Sequence, residues 1–276
     1  MVIGCDMGYA DTKTSESFIC HSRMTKVEPL LGYSKTLEIG SEKYYVGTGN
    51  GTIELNKIDK EITKVLLIYS ICASTKDDKV KVVTGLPIGQ YREYRDELRD
   101  MVMALGKVQC RFDGVPRTIT IEDCSIRPQG VMGGLTVDVG GRTIDISCIE
   151  DTELKYAKTI YDGMINFFSR IIETVNAKYC LALSDYHAQR ILTQGLIIND
   201  QKMDIGFVKP IIDEYVEKIV EEIKLTSATC KAVLCGGGAK LLYSEISSRY
   251  PSVLAAEPQF ANAYMFKKYG ERKWLS

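Results

Sequence analysis

The chain has 276 residues, 45% hydrophobic and 26% charged, with 35 basic against 36 acidic side chains and a formal net charge of -1. That length buries a sizeable core and suggests two compact lobes or one large domain, and the balanced charge excludes a global basic field for nucleic acid or anionic membrane. No stretch approaches the roughly 18 apolar residues of a membrane span, and M-V-I-G-C-D-M-G has no basic segment ahead of an apolar run, so a cytoplasmic location is expected.

The run Val2 to Cys5 is apolar, turns at Asp6-Met7-Gly8, and is followed by a second strand from Thr12. Residues 18–45 are mixed, with strand-like pieces at 35–39 and 43–46 that end in G-T-G-N-G at 47–51, as in a small loop-rich insertion. Ile62, Val65, Leu66, Tyr69 and Cys72 fall at three- and four-residue spacing, which predicts an amphipathic helix over 59–73 packed on a sheet. Val80 to Thr84 is a strand that ends at Gly85-Leu86-Pro87, and the charged segment 91–105 is a helix. Asp113-Gly114 joins two alternating strands, V-Q-C-R-F and R-T-I-T-I, as a hairpin.

T-V-D-V-G-G-R-T-I-D-I-S at 136–147 is strand, glycine turn, strand. A helix over 164–177 follows, then a polar stretch over 184–204 with room for a small helix and two short strands. Pro210 opens a helix with Ile211, Ile212, Tyr215, Ile219, Val220 and Ile223 on its apolar face. Ala232 to Cys235 is a buried strand that enters Gly236-Gly237-Gly238 and a helix, and a last helix covers 261–269. The nine cysteines include no C-x-x-C pair and sit largely in apolar runs, which favours buried reduced thiols over a zinc site or redox dithiol. Trp274, the one tryptophan, stands in a basic C-terminal segment and is expected as an exposed interface aromatic.

Two segments share a plan: I-G-C-D-M-G-Y-A-D-T-K at the start and T-V-D-V-G-G-R-T-I-D in the middle. Each is a hairpin in which glycine lets backbone N–H groups converge on phosphate oxygens. Asp6 and Asp138 cannot bind phosphate directly, but can hold Mg²⁺ through its water shell, which needs only one or two carboxylates. Lys13 supplies a point charge to phosphates. The glycine turn after Cys235 suits close approach to a nucleoside, and is equally compatible with a tight strand–helix connection.

Taken together, these segments resemble the actin, sugar kinase and DnaK-type chaperone superfamily, and within it the ParM-type bacterial actins that segregate plasmids. The resemblance rests on D-M-G-Y-A-D-T-K, N-K-I-D-K-E-I-T-K-V-L-L, V-V-T-G-L-P-I, T-V-D-V-G-G-R-T-I-D-I-S, V-L-C-G-G-G-A-K-L-L and A-N-A-Y-M-F-K-K-Y-G. It implies an α/β, actin-like two-domain fold: two ribonuclease-H-like lobes around a nucleotide cleft, with small outer subdomains trimmed by the short chain. The first lobe would span 1–134, with an insertion at 18–56 and the helix 259–276 returning to it. The second would span 135–258, with an insertion at 181–206. By the same similarity Asp6 and Asp138 are the metal-side carboxylates, Gly8, Lys13, Gly140, Gly141 and Thr143 contact phosphate, and Gly236, Gly237 and Gly238 contact the nucleoside. One departure is Gln129 in R-P-Q-G, where ParM-type proteins carry glutamate. Glutamine is no strong base but can orient an attacking water, so slow hydrolysis is expected.

The resemblance thus implies an ATPase that uses ATP, or GTP, with Mg²⁺ and forms filaments with copies of itself. It further implies a DNA-binding adaptor of ParR type, with no direct nucleic-acid or membrane contact. The rival is a small-molecule, sugar-type kinase of the same superfamily, which needs an aspartate base; no extra candidate stands out, and the sequence leaves only Asp113 and Asp123 open. A scaffold without activity is disfavoured by the joint presence of Asp6, Lys13 and Asp138.

Overall fold

The computed structural model describes residues 1–30, 35–51, 61–151, 153–227 and 230–275. Of the segments discussed above, residues 31–34 and 52–56 of the insertion and residues 59–60 of the first helix lie outside the described residues. The chain divides into two units, Met1–Gln129 with Phe260–Ser276, and Gly130–Gln259.

The first unit is built on β1 (Val2–Met7), β2 (Asp11–Thr14) and β3 (Ile19–His21), then β4 (Arg23–Thr25), β5 (Thr36–Ile39), β6 (Glu42–Val46) and β7 (Asn50–Gly51). Helix α1 (Glu61–Ser74), β8 (Lys79–Leu86), α2 (Ile88–Leu105), β9 (Lys107–Phe112) and β10 (Val115–Pro128) follow. The strands form one sheet in the order β3-β2-β1-β8-β10-β9-β5-β6-β4-β7. Helix α1 differs from the amphipathic expectation: Thr63 and every residue from Val65 to Cys72 are buried, so it is enclosed on nearly all sides. Its few polar residues are accommodated locally, as where Ser70 Oγ donates to the Leu67 carbonyl at 2.9 Å. β10 is one 14-residue strand that runs on past the R-T-I-T-I segment of the hairpin. A register shift between Ile121 and Asp123 passes the charged Glu122-Asp123 step, after which Cys124 to Ile126 are buried.

The second unit holds β11 (Gly134–Val139), β12 (Ile144–Glu150), β13 (Glu153–Ile160), α3 (Met164–Tyr179), α4 (Ala188–Gln194), β14 (Leu196–Ile198) and β15 (Gln201–Met203). It continues through α5 (Lys209–Thr226), β16 (Ala232–Cys235), α6 (Ala239–Ser247) and β17 (Ser252–Leu254). The main sheet runs β13-β12-β11-β16-β17. β11 pairs antiparallel with β12 and parallel with β16, β12 pairs antiparallel with β13, and β16 pairs parallel with β17. This is the order and sense of β3-β2-β1-β8-β10 in the first unit. The repetition seen in the two hairpins therefore extends to whole half-sheets. Val137, Val139, Ile144 and Ile146 pack beneath Phe167, Ile171 and Val175 of α3 and Tyr215, Ile219 and Ile223 of α5. The Phe167 and Tyr215 rings stack at 4.5 Å.

Strand β13 carries no apolar alternation because it is an exposed edge in which only Ile160 is buried. It is fastened to α5 instead, where Tyr156 Oη and Lys158 Nζ both donate to Glu222. Burial alone works against the Glu222 charge, but the hydrogen bonds from Lys158 and Tyr156 outweigh it and hold the carboxyl below the ordinary glutamate value. Glu222→Ala is expected to lower stability by about 1–2 kcal/mol, read as a lower urea midpoint. Because the folded carboxyl is depressed, this contribution is present above the unfolded glutamate range and disappears as pH falls through the folded value. The difference between wild type and variant should accordingly shrink in acid.

Helix α7 (Ala261–Trp274) closes the first unit by packing on β1 and β8. A Cβ on Gly4 would lie 2.0 Å from the Ala263 carbonyl oxygen, so the helix backbone rests directly on the strand. Trp274 is not the exposed interface aromatic expected from the sequence. It is half-buried, its Nε1 donates to Asp123 Oδ2 at 3.0 Å, and Lys81 lies 5.8 Å from its ring. The neighbouring helix glycine, Gly270, leaves room for the ring and so draws it into its own unit.

Candidate functional site

In the first unit, β1 delivers Asp6 to the end of a buried strand, and the β1–β2 register places Lys13 directly opposite it. Both are nearly buried, at 6% and 7% exposure, unusual for charged side chains and typical of groups held for a partner. The turn between them is tight: a Cβ on Gly8 would stand 2.6 Å from the Asp11 carbonyl oxygen. Ser22 Oγ donates to the Gly8 carbonyl at 2.6 Å and lies 3.0 Å from Thr12 Oγ1, fixing the loop from below. Gln129 arrives from the end of β10, its backbone N–H bound to the Leu86 carbonyl at 2.8 Å. Its side-chain Nε2 donates to Asp6 Oδ1 at 2.6 Å. The first unit therefore brings Asp6, Lys13 and Gln129 together around one turn.

The second unit repeats the device with one charge reversed. Here the β11–β12 register sets Asp138 opposite Asp145. Aligned on their first aspartates, D-M-G-Y-A-D-T-K and D-V-G-G-R-T-I-D share one hairpin register, so Asp145 occupies the ladder position of Lys13. Asp145 is not among the residues singled out from the sequence; its separation of seven residues from the turn-entry aspartate, the same as between Asp6 and Lys13, is the signal that could have marked it. Asp145 is 1% exposed and anchored at both oxygens, by Thr143 Oγ1 at 3.2 Å and Thr159 Oγ1 at 2.5 Å. A Cβ on Gly130 would lie 3.0 Å from Asp138 Cβ and 3.3 Å from Asp145 Cβ, which places both carboxylates on one face.

The turn itself leans on α3. Gly140 N–H donates to the Thr143 carbonyl at 2.9 Å, and Met164 and Ile165, the first residues of α3, donate to the carbonyls of Gly140 and Gly141 at 3.0 and 2.8 Å. Otherwise orphaned N–H groups of the helix end are thus satisfied by the hairpin. The glycine turn after β16 wraps Asp138: Gly236 has φ +89°, and a Cβ there would stand 2.3 Å from Asp138 Oδ1. Gly236 N–H donates to the Pro258 carbonyl at 2.8 Å and Gly238 N–H to the Val139 carbonyl at 3.0 Å. Gly237 has nothing within 4 Å of its Cβ position. Asp138, Gly140, Thr143, Gly236 and Gly238 are thus gathered at the ends of β11 and β16.

Two buried carboxylates on one face repel when both are ionised, and a cation relieves that cost. Among the described residues no group of three histidine, cysteine or acidic side chains converges as a direct metal cage. Asp138 and Asp145 instead fit a hydrated Mg²⁺, which keeps several waters and takes one or two carboxylates.

Residues 4–131 match the family model of the actin like proteins N-terminal domain, and residues 136–248 match that of the archaeal actin homologue MreB-like, C-terminal. The chain belongs to the actin-like proteins. Among solved structures it is similar to Ta0583, an archaeal actin homologue, at 21% identity and TM-score 0.83, with 99% of each chain covered. The complex of that homologue with ADP matches at 22% identity and TM-score 0.81, over 98% of this chain and 99% of the other. A 15-stranded ParM filament from Clostridium botulinum matches at 19% identity and TM-score 0.78, again over 98% and 99%. No curated protein sequence matches the chain. The two-domain actin-like α/β fold expected from the sequence is therefore the fold observed.

Proposed function

We propose that this actin-like protein is a nucleotide-dependent, filament-forming ATPase that drives plasmid DNA segregation in the cytoplasm. The observation that carries the proposal is the repeated Asp-x-Gly hairpin, with Gln129 hydrogen-bonded to Asp6 in one copy and Asp145 beside Asp138 in the other. Gly8, Lys13, Gly140, Gly141 and Thr143 serve the phosphates, and Gly236, Gly237 and Gly238 the nucleoside. In the second unit Asp138, with Asp145, would hold Mg²⁺ through water, and Asp6 is the corresponding metal-side carboxylate of the first unit. Bound Mg²⁺ would neutralise charge that develops on the phosphates. Lys13 adds a fixed positive charge, and Gln129 positions the attacking water rather than removing its proton. Its amide sits on Asp6 at 2.6 Å, so hydrolysis waits for that hydrogen bond to break, in keeping with slow turnover.

Self-association is supported by the filament among the similar structures. A change of about 1.4 kcal/mol in the subunit contact on hydrolysis would shift the critical concentration tenfold. With a net charge of -1, contact with DNA falls to an adaptor of ParR type. The sugar-kinase alternative loses support because both aspartates it could use are committed. Asp113 Oδ1 accepts the Thr36 N–H at 2.7 Å and the Tyr69 hydroxyl at 3.2 Å. Asp123 accepts the Cys124 N–H at 2.7 Å and Trp274 Nε1 at 3.0 Å.

Light scattering and sedimentation with ATP, GTP, ADP and a non-hydrolysable analogue, alongside phosphate release, test the proposal. Nucleotide-dependent pelleting is expected, whereas sugar-stimulated ADP release without pelleting would establish the kinase instead. Gln129→Ala should slow phosphate release about a hundredfold and leave assembly with ATP intact. Equal loss of both would contradict the water-positioning role.

A further inference from the structure

Cys72 sits in the last turn of α1 and Cys110 in the middle of β9, 38 residues apart in sequence, with their Sγ atoms 3.9 Å from each other. Both are buried in the core of the first unit, at 4% and 7% exposure, and both are free thiols. Arg117 stands directly opposite Cys110 in the β9–β10 ladder. Its guanidinium donates to the Cys72 carbonyl at 3.4 Å and the Thr75 carbonyl at 2.9 Å. The pair is thus two thiols in contact beside a cation held at a helix end, the kind of electropositive setting that favours a thiolate. The hydrogen bond from Cys72 is the largest influence on Cys110 and holds its thiol below the ordinary value against the opposing effect of burial, with Arg117 acting in the same sense as the hydrogen bond. Cys72, which keeps its proton in that bond, is pushed the other way.

We propose that Cys72 and Cys110 form a reversible intramolecular disulfide by exchange with a low-molecular-weight disulfide, making the first unit redox-responsive. The Cys110 thiolate attacks one sulfur of the small disulfide, whose S–S bond breaks and releases one thiolate that takes up a proton. Cys72 then loses its proton, attacks the Cys110 sulfur of the mixed disulfide, and expels the second thiolate. Two cysteine thiols are oxidised and one small disulfide is reduced to two thiols. An S–S bond needs about 2.05 Å, so the sulfurs, now 3.9 Å apart, must close by about 2 Å.

The cross-link would bind the C-terminal turn of α1 to β9 and close a loop containing β8 and α2. The opposite end of α1, through Ile62, Thr63 and Leu66, lines a small pocket with Met7, Gly8, Tyr9 and Thr12 of the first hairpin. Oxidation at one end of this enclosed helix is therefore connected to the turn that carries Gly8 by a single rigid element.

The test equilibrates the intact chain with oxidised glutathione under native conditions, blocks residual thiols, and maps the cysteines by mass spectrometry of peptides. A Cys72–Cys110 cross-link reversed by dithiothreitol is expected, together with a rise in melting temperature on the order of 5 °C. Cys72→Ser should trap Cys110 as its glutathione adduct, while Cys110→Ser should leave Cys72 unmodified. Absence of the cross-link in the folded wild-type chain, or its appearance only in urea, would overturn the proposal. The wild-type measurement stands even if either variant folds poorly.

Discussion

Asp138→Ala is expected to reduce Mg²⁺-dependent phosphate release about a hundredfold or more while the second unit stays folded. The reason lies in the division of labour between the two carboxylates. Asp145 has both oxygens tied to threonine hydroxyls, so it is fixed in place whether or not Asp138 is present. Removing Asp138 leaves that anchor intact and takes away half of the negative charge on the face. Phosphate release measured against Mg²⁺ concentration should show the loss, with circular dichroism to verify folding. Wild-type turnover in this variant would remove Asp138 from the metal assignment.

The second large effect concerns three adjacent glycines that are not equivalent. Gly236→Val places a β-branched residue at φ +89°, with its Cβ 2.3 Å from Asp138 Oδ1 and 2.5 Å from the Val139 carbonyl oxygen. Neither the backbone strain nor the carbonyl contact can be relieved by turning a side chain. A loss of about 3 kcal/mol or more is expected, visible by calorimetry, with nucleotide affinity falling as Asp138 is displaced. Gly237→Ala meets nothing within 4 Å and should change stability by less than about 0.5 kcal/mol. At Gly238 an added Cβ meets Met164 Cγ and Sδ at 2.5 and 2.6 Å and Val139 Cγ1 at 2.7 Å, so this position too is crowded, by side chains rather than by a carbonyl. Equal behaviour of the Gly236 and Gly237 variants would show that the turn is not shaped by its contact with Asp138.

Much of the half-sheet architecture was legible because β1, β8, β11 and β16 are buried, near-continuous apolar runs, and because Asp-x-Gly turns punctuate the first and third of them. Strand β13 was not legible, since an exposed edge held by Glu222 needs no apolar alternation. The three-residue β17 offered too short a pattern to register. Enclosure of α1 was hidden by Thr63 and Ser70, polar residues that the core tolerates. At the candidate site the turn residues stood out, but their pairings did not. Gln129 and Asp6 are 123 positions apart, and Cys72 and Cys110 are 38 apart, distances over which local spacing carries no information.

The placement of α7 has a consequence for biosynthesis. The second unit is one continuous stretch, Gly130–Gln259, whereas the first needs Phe266 and Gly270 seated against β1 and β8. During translation the later-made unit can therefore finish before the earlier one. The sheet of the first unit waits, incomplete and with an apolar flank uncovered, until α7 has left the ribosome.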